Sequence, residues 1–347
     1  DMLCAIHSAR HHIHVQFYIF MDDAVGRLLR DALIDKARQG VKIRLLYDDV
    51  GSWKVKNRFF RDMVKEGIEV YPFGEVKFAA LTRRVNYRNH RKLVIVDGQL
   101  GYIGGMNIAE RYYKGFSWGG WRDTHIRIEG MAVNALQTSF FVDWHYASRM
   151  LVDEPVYFPK VERKGDTDMQ IVTSYPMGEW KTIMQGLLQV ISQSRRYLYI
   201  QTPYFMPTEP ILMALRNAAL AGVDVRIMVP LRGDSLLADL ASHSYYKEVM
   251  TAGVKIYQYE SGYLHAKMIL SDDNFVTIGS TNMDFRSFEQ NFEINAFIYD
   301  PDVVETMKQI FLADQQSSLR VIPADWQNRP LWKRCLESLV RLLSPLL

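Results

Sequence analysis

The chain has 347 residues, 48% hydrophobic and 23% charged, with a formal net charge of +3. This is ordinary globular usage with enough length for two domains or two fused halves. Its two cysteines, Cys4 and Cys335, lie at opposite ends, which excludes a disulfide framework and a Cys/His metal spacing, and no apolar run reaches the roughly 18 residues of a bilayer span.

Four histidines come first, His7, His11, His12 and His14. They have no acidic or cysteine partner in their segment and read as structural rather than metal-binding. Residues 13–20 read as a strand, and an amphipathic stretch at 26–39 predicts a helix stopped by Gly40. Residues 40–46 and 66–71 supply two further strands. A basic stretch follows at 74–92, holding Lys77, Arg83, Arg84, Arg88, Arg91 and Lys92 against the single acid Glu75. It is either a solvated loop or a basic entrance that attracts phosphate-bearing substrates.

The next segment carries the chemistry. His90, Lys92 and Asp97 form His-x-Lys-x4-Asp, and after six intervening residues comes the cluster Gly104-Gly105-Met106-Asn107. The spacing recurs as His265, Lys267 and Asp272, followed by Ser280 and Asn282. Residues two apart on a strand share a face, so each histidine projects with its lysine. The apolar runs after them predict hairpins that fold back about 98–99 and 273–274, setting Asn107 opposite His90 and Asn282 opposite His265. Asp97 and Asp272 fall at the turns and are counted with the catalytic set, in orienting roles. Two histidines and two lysines converging on one point would make a phosphoryl-transfer site from protein side chains alone.

The repeat extends beyond the motif. Residues 13–20 match 198–205, 40–46 match 222–228, and 66–71 match 252–257, with a second helix predicted over 209–221 and ending at Gly222. Each half therefore reads strand, helix, strand, helix, strand, hairpin, and such alternation predicts α/β layers. Gly67 and Gly253 are 186 positions apart whereas His90 and His265 are 175 apart, so the first half has eleven more residues before its histidine. Residues 151–168, with Pro155, Pro159 and several charges, look like the junction. At the C-terminus, Leu331, Trp332, Cys335, Leu336, Leu339, Val340 and Leu343 recur at helical spacing. That helix is too short to cross a bilayer and either lies in an interface or docks on the protein's own core. Trp53, Phe116, Trp118 and Trp121 are core residues or interfacial anchors.

These residues resemble the phospholipase D superfamily through the paired motif. They resemble the bacterial cardiolipin synthases through Phe17–Phe20, Trp121–His125, Thr202–Phe205, Ser280–Asp284, Arg286–Ser287 and the terminal Arg341–Leu347. The resemblance covers nearly the whole chain. It implies two homologous α/β sandwich halves with one active site at their interface, divided here as residues 1–155, 156–310 and a C-terminal helical segment 311–347. It further implies phosphatidyl transfer between two phosphatidylglycerol molecules, giving cardiolipin and glycerol through a phosphohistidine. His90 would be the nucleophile and His265 the acid and base. Lys92, Lys267, Asn107 and Asn282 would hold the nonbridging oxygens, so that no metal or cofactor is required. Asp123 and Glu293, each downstream of its own motif, are carried over as the acids that orient the imidazoles. Gly105 stands where the second half has Ser280, so any hydroxyl contact to phosphate would come from the second half. The expected partners are phosphatidylglycerol and an anionic membrane surface, with no nucleic acid, and the expected location is the bacterial cytoplasmic membrane with an anchor outside the residues shown. The rival readings are a hydrolase or nuclease of the same superfamily and a lipid-binding scaffold without activity.

Overall fold

The computed structural model describes residues 1–75 and 86–346; Lys77, Arg83 and Arg84 of the basic stretch lie outside the described residues. The first half begins with α1 (Met2–Ser8), β1 (His12–Phe17), α2 (Ala24–Arg38), β2 (Lys42–Asp48), α3 (Asn57–Lys65) and β3 (Glu69–Phe73). It continues with β4 (Arg88–Asn89), β5 (Leu93–Val96), β6 (Leu100–Gly104), α4 (Arg111–Lys114), β7 (Gly120–Arg122), β8 (His125–Glu129) and α5 (Ala132–Ser148). The second half begins with β9 (Met169–Ser174), α6 (Thr182–Gln193), β10 (Tyr197–Gln201), β11 (Phe205–Met206), α7 (Glu209–Leu220), β12 (Asp224–Pro230), α8 (Leu236–Thr251) and β13 (Lys255–Tyr259). There follow β14 (Gly262–Leu264), β15 (Met268–Ser271), β16 (Phe275–Gly279), β17 (Met283–Asp284), α9 (Phe285–Glu289), β18 (Asn291–Ile298) and α10 (Pro301–Gln316). The chain ends with β19 (Ser318–Arg320), α11 (Pro323–Gln327) and α12 (Leu331–Arg341).

Local chemistry explains the main boundaries. The Asp23 carboxylate accepts the Gly26 N–H at 3.0 Å and caps α2. After α2 and α7 the backbone turns left-handed at Gly40 (φ +88°) and Gly222 (φ +92°), a conformation that costs glycine nothing. Both helices therefore stop where the repeat predicts.

Among the described residues, one sheet runs β3-β2-β1-β5-β6-β8 and the other contains β13-β12-β10-β15-β16-β18 in the matching order. In each, the first three strands are parallel and the hairpin joins antiparallel to the central strand. A shared core of Leu93, Ile95, Ile103, Leu270, Val276 and Ile278, with Phe140 of α5 and Phe311 of α10, fills the space between the sheets. Helices α1 to α3 cover the outer face of the first sheet and α6 to α8 that of the second. Both hairpin strands are thus buried on both faces, which is why they read as unbroken apolar runs.

Of the N-terminal histidines, His12 and His14 are buried and structural in this packing, while His7 and His11 are exposed. His14 stacks on Phe140 at 4.6 Å between ring centres, and Tyr157 from the junction meets His12 at 4.9 Å. The division at residue 310 falls inside α10, and β19 extends the second sheet by pairing with β13. The C-terminal segment is therefore continuous with the second half rather than a separate unit. No helix among the described residues is long and apolar enough to cross a membrane.

Candidate active site at the junction of the halves

Very short strands carry the histidines across the boundary between halves. β4, just before His90, pairs in parallel with the start of β18, and the His90 N–H donates to Phe292 O at 3.0 Å. β14, just before His265, pairs in parallel with β7, and the His265 N–H donates to Arg122 O at 2.7 Å. The residue after each acceptor is an acid. His90 Nδ1 therefore meets Glu293 at 3.0 and 3.2 Å, and His265 Nδ1 meets Asp123 at 2.7 Å. Each histidine is oriented by the acid of the other half.

A carboxylate only accepts, so it fixes the proton on Nδ1 and leaves Nε2 with its lone pair. Burial pushes both imidazoles down, His90 to about 4 and His265 to about 3, with the paired acids opposing and the nearby lysines reinforcing that shift. Burial alone would raise the Asp123 and Glu293 carboxyls, but the hydrogen bond from the paired imidazole and the charge of the nearby lysine hold both below the ordinary carboxylate value. Lys92 is fully buried and donates to the His90 carbonyl; burial holds it well below the ordinary lysine value. Lys267 donates to the His265 carbonyl, lies 3.0 Å from His265 Nδ1 and is lowered to about 8, again chiefly by burial.

The motif aspartates do not join this cluster. Asp97 (φ +53°) accepts the main-chain N–H groups of Arg10, His11 and His12 at 2.8, 2.8 and 2.9 Å. Asp272 (φ +53°) does the same for Arg195, Arg196 and Tyr197 at 2.6, 2.8 and 2.9 Å. Each ties its hairpin turn to the start of the neighbouring central strand, so it orients a strand rather than an imidazole. The hairpins are also shifted by one residue in register from the simple pairing expected, with Val96 opposite Leu100 and Ser271 opposite Phe275. Two consecutive left-handed residues in each turn, Asp97-Gly98 and Asp272-Asp273, account for the three-residue loops. The histidines lie beyond the ends of these ladders and are placed by the other half.

The asparagines still arrive. Asn107 Oδ1 accepts the Ile19 N–H at 3.0 Å and its Nδ2 donates to Tyr112 at 2.5 Å, while Asn282 Nδ2 donates to Asp284 at 3.0 Å. Ser280 is fully buried and donates to Glu293, which removes it from phosphate contact and makes it a support for the acid. Gly105 has the complementary reason: a Cβ there would sit 2.1 Å from Asp123 Oδ1. The basic stretch is also reassigned in part. Arg91 donates to buried Asp143 at 2.8 Å and is internal, whereas Arg88, 3.5 Å from buried Asp48, is buried but lines the catalytic cavity.

His90, His265, Asn107 and Asn282 line one cavity of about 360 Å³. Arg88, Arg111 and Arg286 face it with Tyr18, Tyr112 and Tyr204, as do the acids Asp234 and Asp284. Trp121 is not ordinary core: its ring centre lies 4.9 Å from that of His265, and its Nε1 donates to Asp123 at 3.2 Å. Sequence reasoning reached Arg88 only as part of the basic stretch and Trp121 only as core or anchor, and assigned no site role to Arg111, Arg286, Tyr18, Tyr112, Tyr204, Asp234 or Asp284. Tyr18 and Tyr204 occur within the matched segments of the repeat, which is the signal that singles them out.

Residues 2–118 and 187–315 match the family described as "Cardiolipin synthase, PLD-like domain". Over 349 aligned positions the chain is 45% identical to "Major cardiolipin synthase ClsA" of Bacillus subtilis (strain 168), covering 100% of this chain and 72% of that protein. It is 42% identical to "Cardiolipin synthase" of Geobacillus kaustophilus (strain HTA426), covering 100% of this chain and 70% of the other. Among solved structures, phosphatidylserine synthase from Haemophilus influenzae Rd KW20 superposes with a TM-score of 0.74 at 14% identity, over 100% of this chain and 92% of that one, a likeness of fold. With the family matched separately in each half and the relatives aligned along the whole chain, this protein belongs to the cardiolipin synthase family of phospholipase D-like proteins.

Proposed function

We propose that the chain is a cardiolipin synthase that moves a phosphatidyl group from one phosphatidylglycerol to the primary hydroxyl of another, releasing glycerol. The observation that carries this reading is the pair of imidazoles on one cavity, each with Nδ1 against a buried carboxylate of the other half. Nε2 of His90 attacks phosphorus, and the bond from phosphorus to the glycerol oxygen breaks. His265, protonated at Nε2, gives that proton to the departing glycerol oxygen. It then takes the proton of the acceptor hydroxyl, whose oxygen attacks phosphorus and frees His90.

Both imidazoles are held neutral by their surroundings, which suits the nucleophile. The acid must carry a proton, and a phosphodiester's negative charge between the histidines raises their affinity for one. Lys92, Lys267, Asn107 and Asn282 supply donors for the nonbridging oxygens, where charge builds in the transition state. Asp123 and Glu293 hold each imidazole's tautomer. The substrate chemistry puts the enzyme at an anionic bilayer, with the bacterial cytoplasmic membrane as its place of work.

The test incubates the protein with labelled phosphatidylglycerol and measures cardiolipin, glycerol and phosphatidic acid, with His90→Ala and His265→Ala alongside. Cardiolipin and glycerol in equal amounts, lost in both variants, is the expected result. Phosphatidic acid alone would make water the acceptor and reject the transferase. Degradation of an oligonucleotide without lipid turnover would make the protein a nuclease.

A further inference from the structure

Helix α12 turns its stripes the unusual way round. Glu337 and Val340 are its buried residues. Arg329 grips both oxygens of Glu337 at 2.7 and 2.8 Å, and Arg341 reaches Glu248 of α8 at 3.0 Å while lying 4.1 Å from the centre of the Tyr245 ring. Trp332, Leu336, Leu339, Leu342, Leu343 and Leu346 face outward, with Leu342 76% exposed and Trp332, Leu339 and Leu346 each 64%. They recur every three or four residues, so they form one strip. Ion pairs hold this helix down, and its leucines are left to meet something else. Apolar strips of this kind mark contact surfaces.

The strip runs toward the catalytic cavity. Beyond α12, backbone bonds from Leu342, Leu343, Ser344 and Leu346 to the residues three before them carry the coil onward. Pro345 O then accepts Gln290 Nε2 at 3.0 Å, and the next residue, Asn291, lines the cavity. Other exposed apolar groups stand close in sequence to lining residues: Trp53 (72% exposed) near Val50, and Leu236 (75%) near Asp234. Charge selects the occupant. Of the cations in residues 320–346, Arg329 and Arg341 are held in ion pairs by Glu337 and Glu248, which leaves Arg320, Lys333 and Arg334 against Asp325. Such a segment is drawn to an anionic leaflet and repelled by a second copy of itself.

We propose that the outward strip of α12 lies in the headgroup layer of an anionic bilayer and sets the mouth of the cavity against the membrane surface. The choice of a lipid surface rests on the phosphatidyl-transfer reading. Cys335, exposed on α12, provides the probe. In a Cys4→Ser background, an environment-sensitive fluorophore on Cys335 is expected to shift to the blue with phosphatidylglycerol vesicles and not with phosphatidylcholine vesicles. In an unlabelled protein, Leu339→Ser, Leu342→Ser and Leu346→Ser together are expected to weaken vesicle binding and the rate on vesicles by roughly tenfold or more. The rate on monomeric short-chain phosphatidylglycerol is expected to stay unchanged, which shows that the fold and the catalytic residues are intact. Unchanged vesicle binding in the triple variant would overturn the proposal. So would loss of a dimer in sedimentation without loss of vesicle binding, which would assign the strip to a second copy. Absence of turnover on the short-chain lipid by the parent chain would reject the transferase reading instead, while vesicle binding would still decide the docking surface.

Discussion

Around His90 the acid is a glutamate with both oxygens within 3.2 Å of Nδ1 and a serine hydroxyl behind it, whereas around His265 it is an aspartate at 2.7 Å lying against Gly105. The two arrangements are complementary solutions to one distance. Glutamate has a methylene more than aspartate and leaves room for the Ser280 side chain; the shorter acid fits where glycine stands. The walls differ as well. Among the described residues, one aromatic ring, Tyr18, stands 5.2 Å from His90, while Tyr112, Trp121 and Tyr263 surround His265 at 5.8, 4.9 and 5.7 Å. Delivery of the histidines is thus symmetric, and what steadies them is not.

The largest expected effect tests whether the halves differ in role. His90→Ala and His265→Ala should each lower transfer by roughly 10⁴-fold or more, because the two groups act as a unit. Rapid quenching of the parent enzyme with labelled lipid, followed by peptide mapping, should find the phosphatidyl adduct on residue 90. An adduct on residue 265 would exchange the roles of the halves.

The second prediction tests the two acid supports. Gly105→Ala forces a methyl group into the Asp123 carboxylate and should cost about 100-fold in kcat through loss of His265 orientation. Ser280→Ala removes a hydrogen bond to a buried charged acid, worth about 1.5–3 kcal/mol, and should cost about tenfold to 100-fold through His90. A larger loss from Ser280→Ala than from Gly105→Ala would show that the tight side is the tolerant one.

Acid should separate the halves by stability. Burial lowers His12, His90 and His125 of the first half to about 4 and His14 well below its ordinary value, while in the second half it lowers His243 to about 4 and His265 to about 3. As the pH falls below 6.5, the ordinary value, the unfolded chain binds protons that the folded chain refuses. Stability is therefore full above that pH and is lost as pH falls toward about 4. Urea unfolding at pH 8, 6.5, 5 and 4 should show this slope, and limited proteolysis should cut the first half earlier. A flat profile below pH 6.5 would remove the contrast.

The smallest effect concerns the motif aspartates. Asp97→Asn keeps a residue that tolerates the left-handed turn but gives up one of its two acceptor oxygens, so stability should fall by about 1–2 kcal/mol. Turnover should stay within about threefold of the parent, since no reacting group is touched. A loss as large as that of His90→Ala would return Asp97 to the chemistry.

Periodicity and repetition made the three parallel strands and the hairpin of each half, helices α2 and α7 and the two histidine motifs readable in the sequence, whereas α1, α6 and the closing strands β8 and β18 were not. Gly40 and Gly222 even marked the helix ends. The crossed pairing of acids was not readable, because β4 has two residues and β7 and β14 three each, too short to leave a pattern. The aspartates at positions 97 and 272 misled because a fixed spacing shows that a residue matters without showing to what. Strand anchoring and catalysis leave the same mark. The reversed stripes of α12 depend on Arg329 and Glu248, which sequence spacing alone does not bring to the helix.

The crossing of the acids has a consequence for the newly made protein. Glu293 follows His90 by 203 positions, which at ordinary elongation rates is roughly 10 to 40 s of synthesis. Throughout that interval the emerging first half has its histidine but no carboxylate to hold it. A product truncated before residue 293 would keep the full first motif, yet His90 would lack its orienting partner and the first sheet would lack the core it shares with the second. Synthesis of Glu293, and its pairing across the two halves, is what gives His90 its orienting acid.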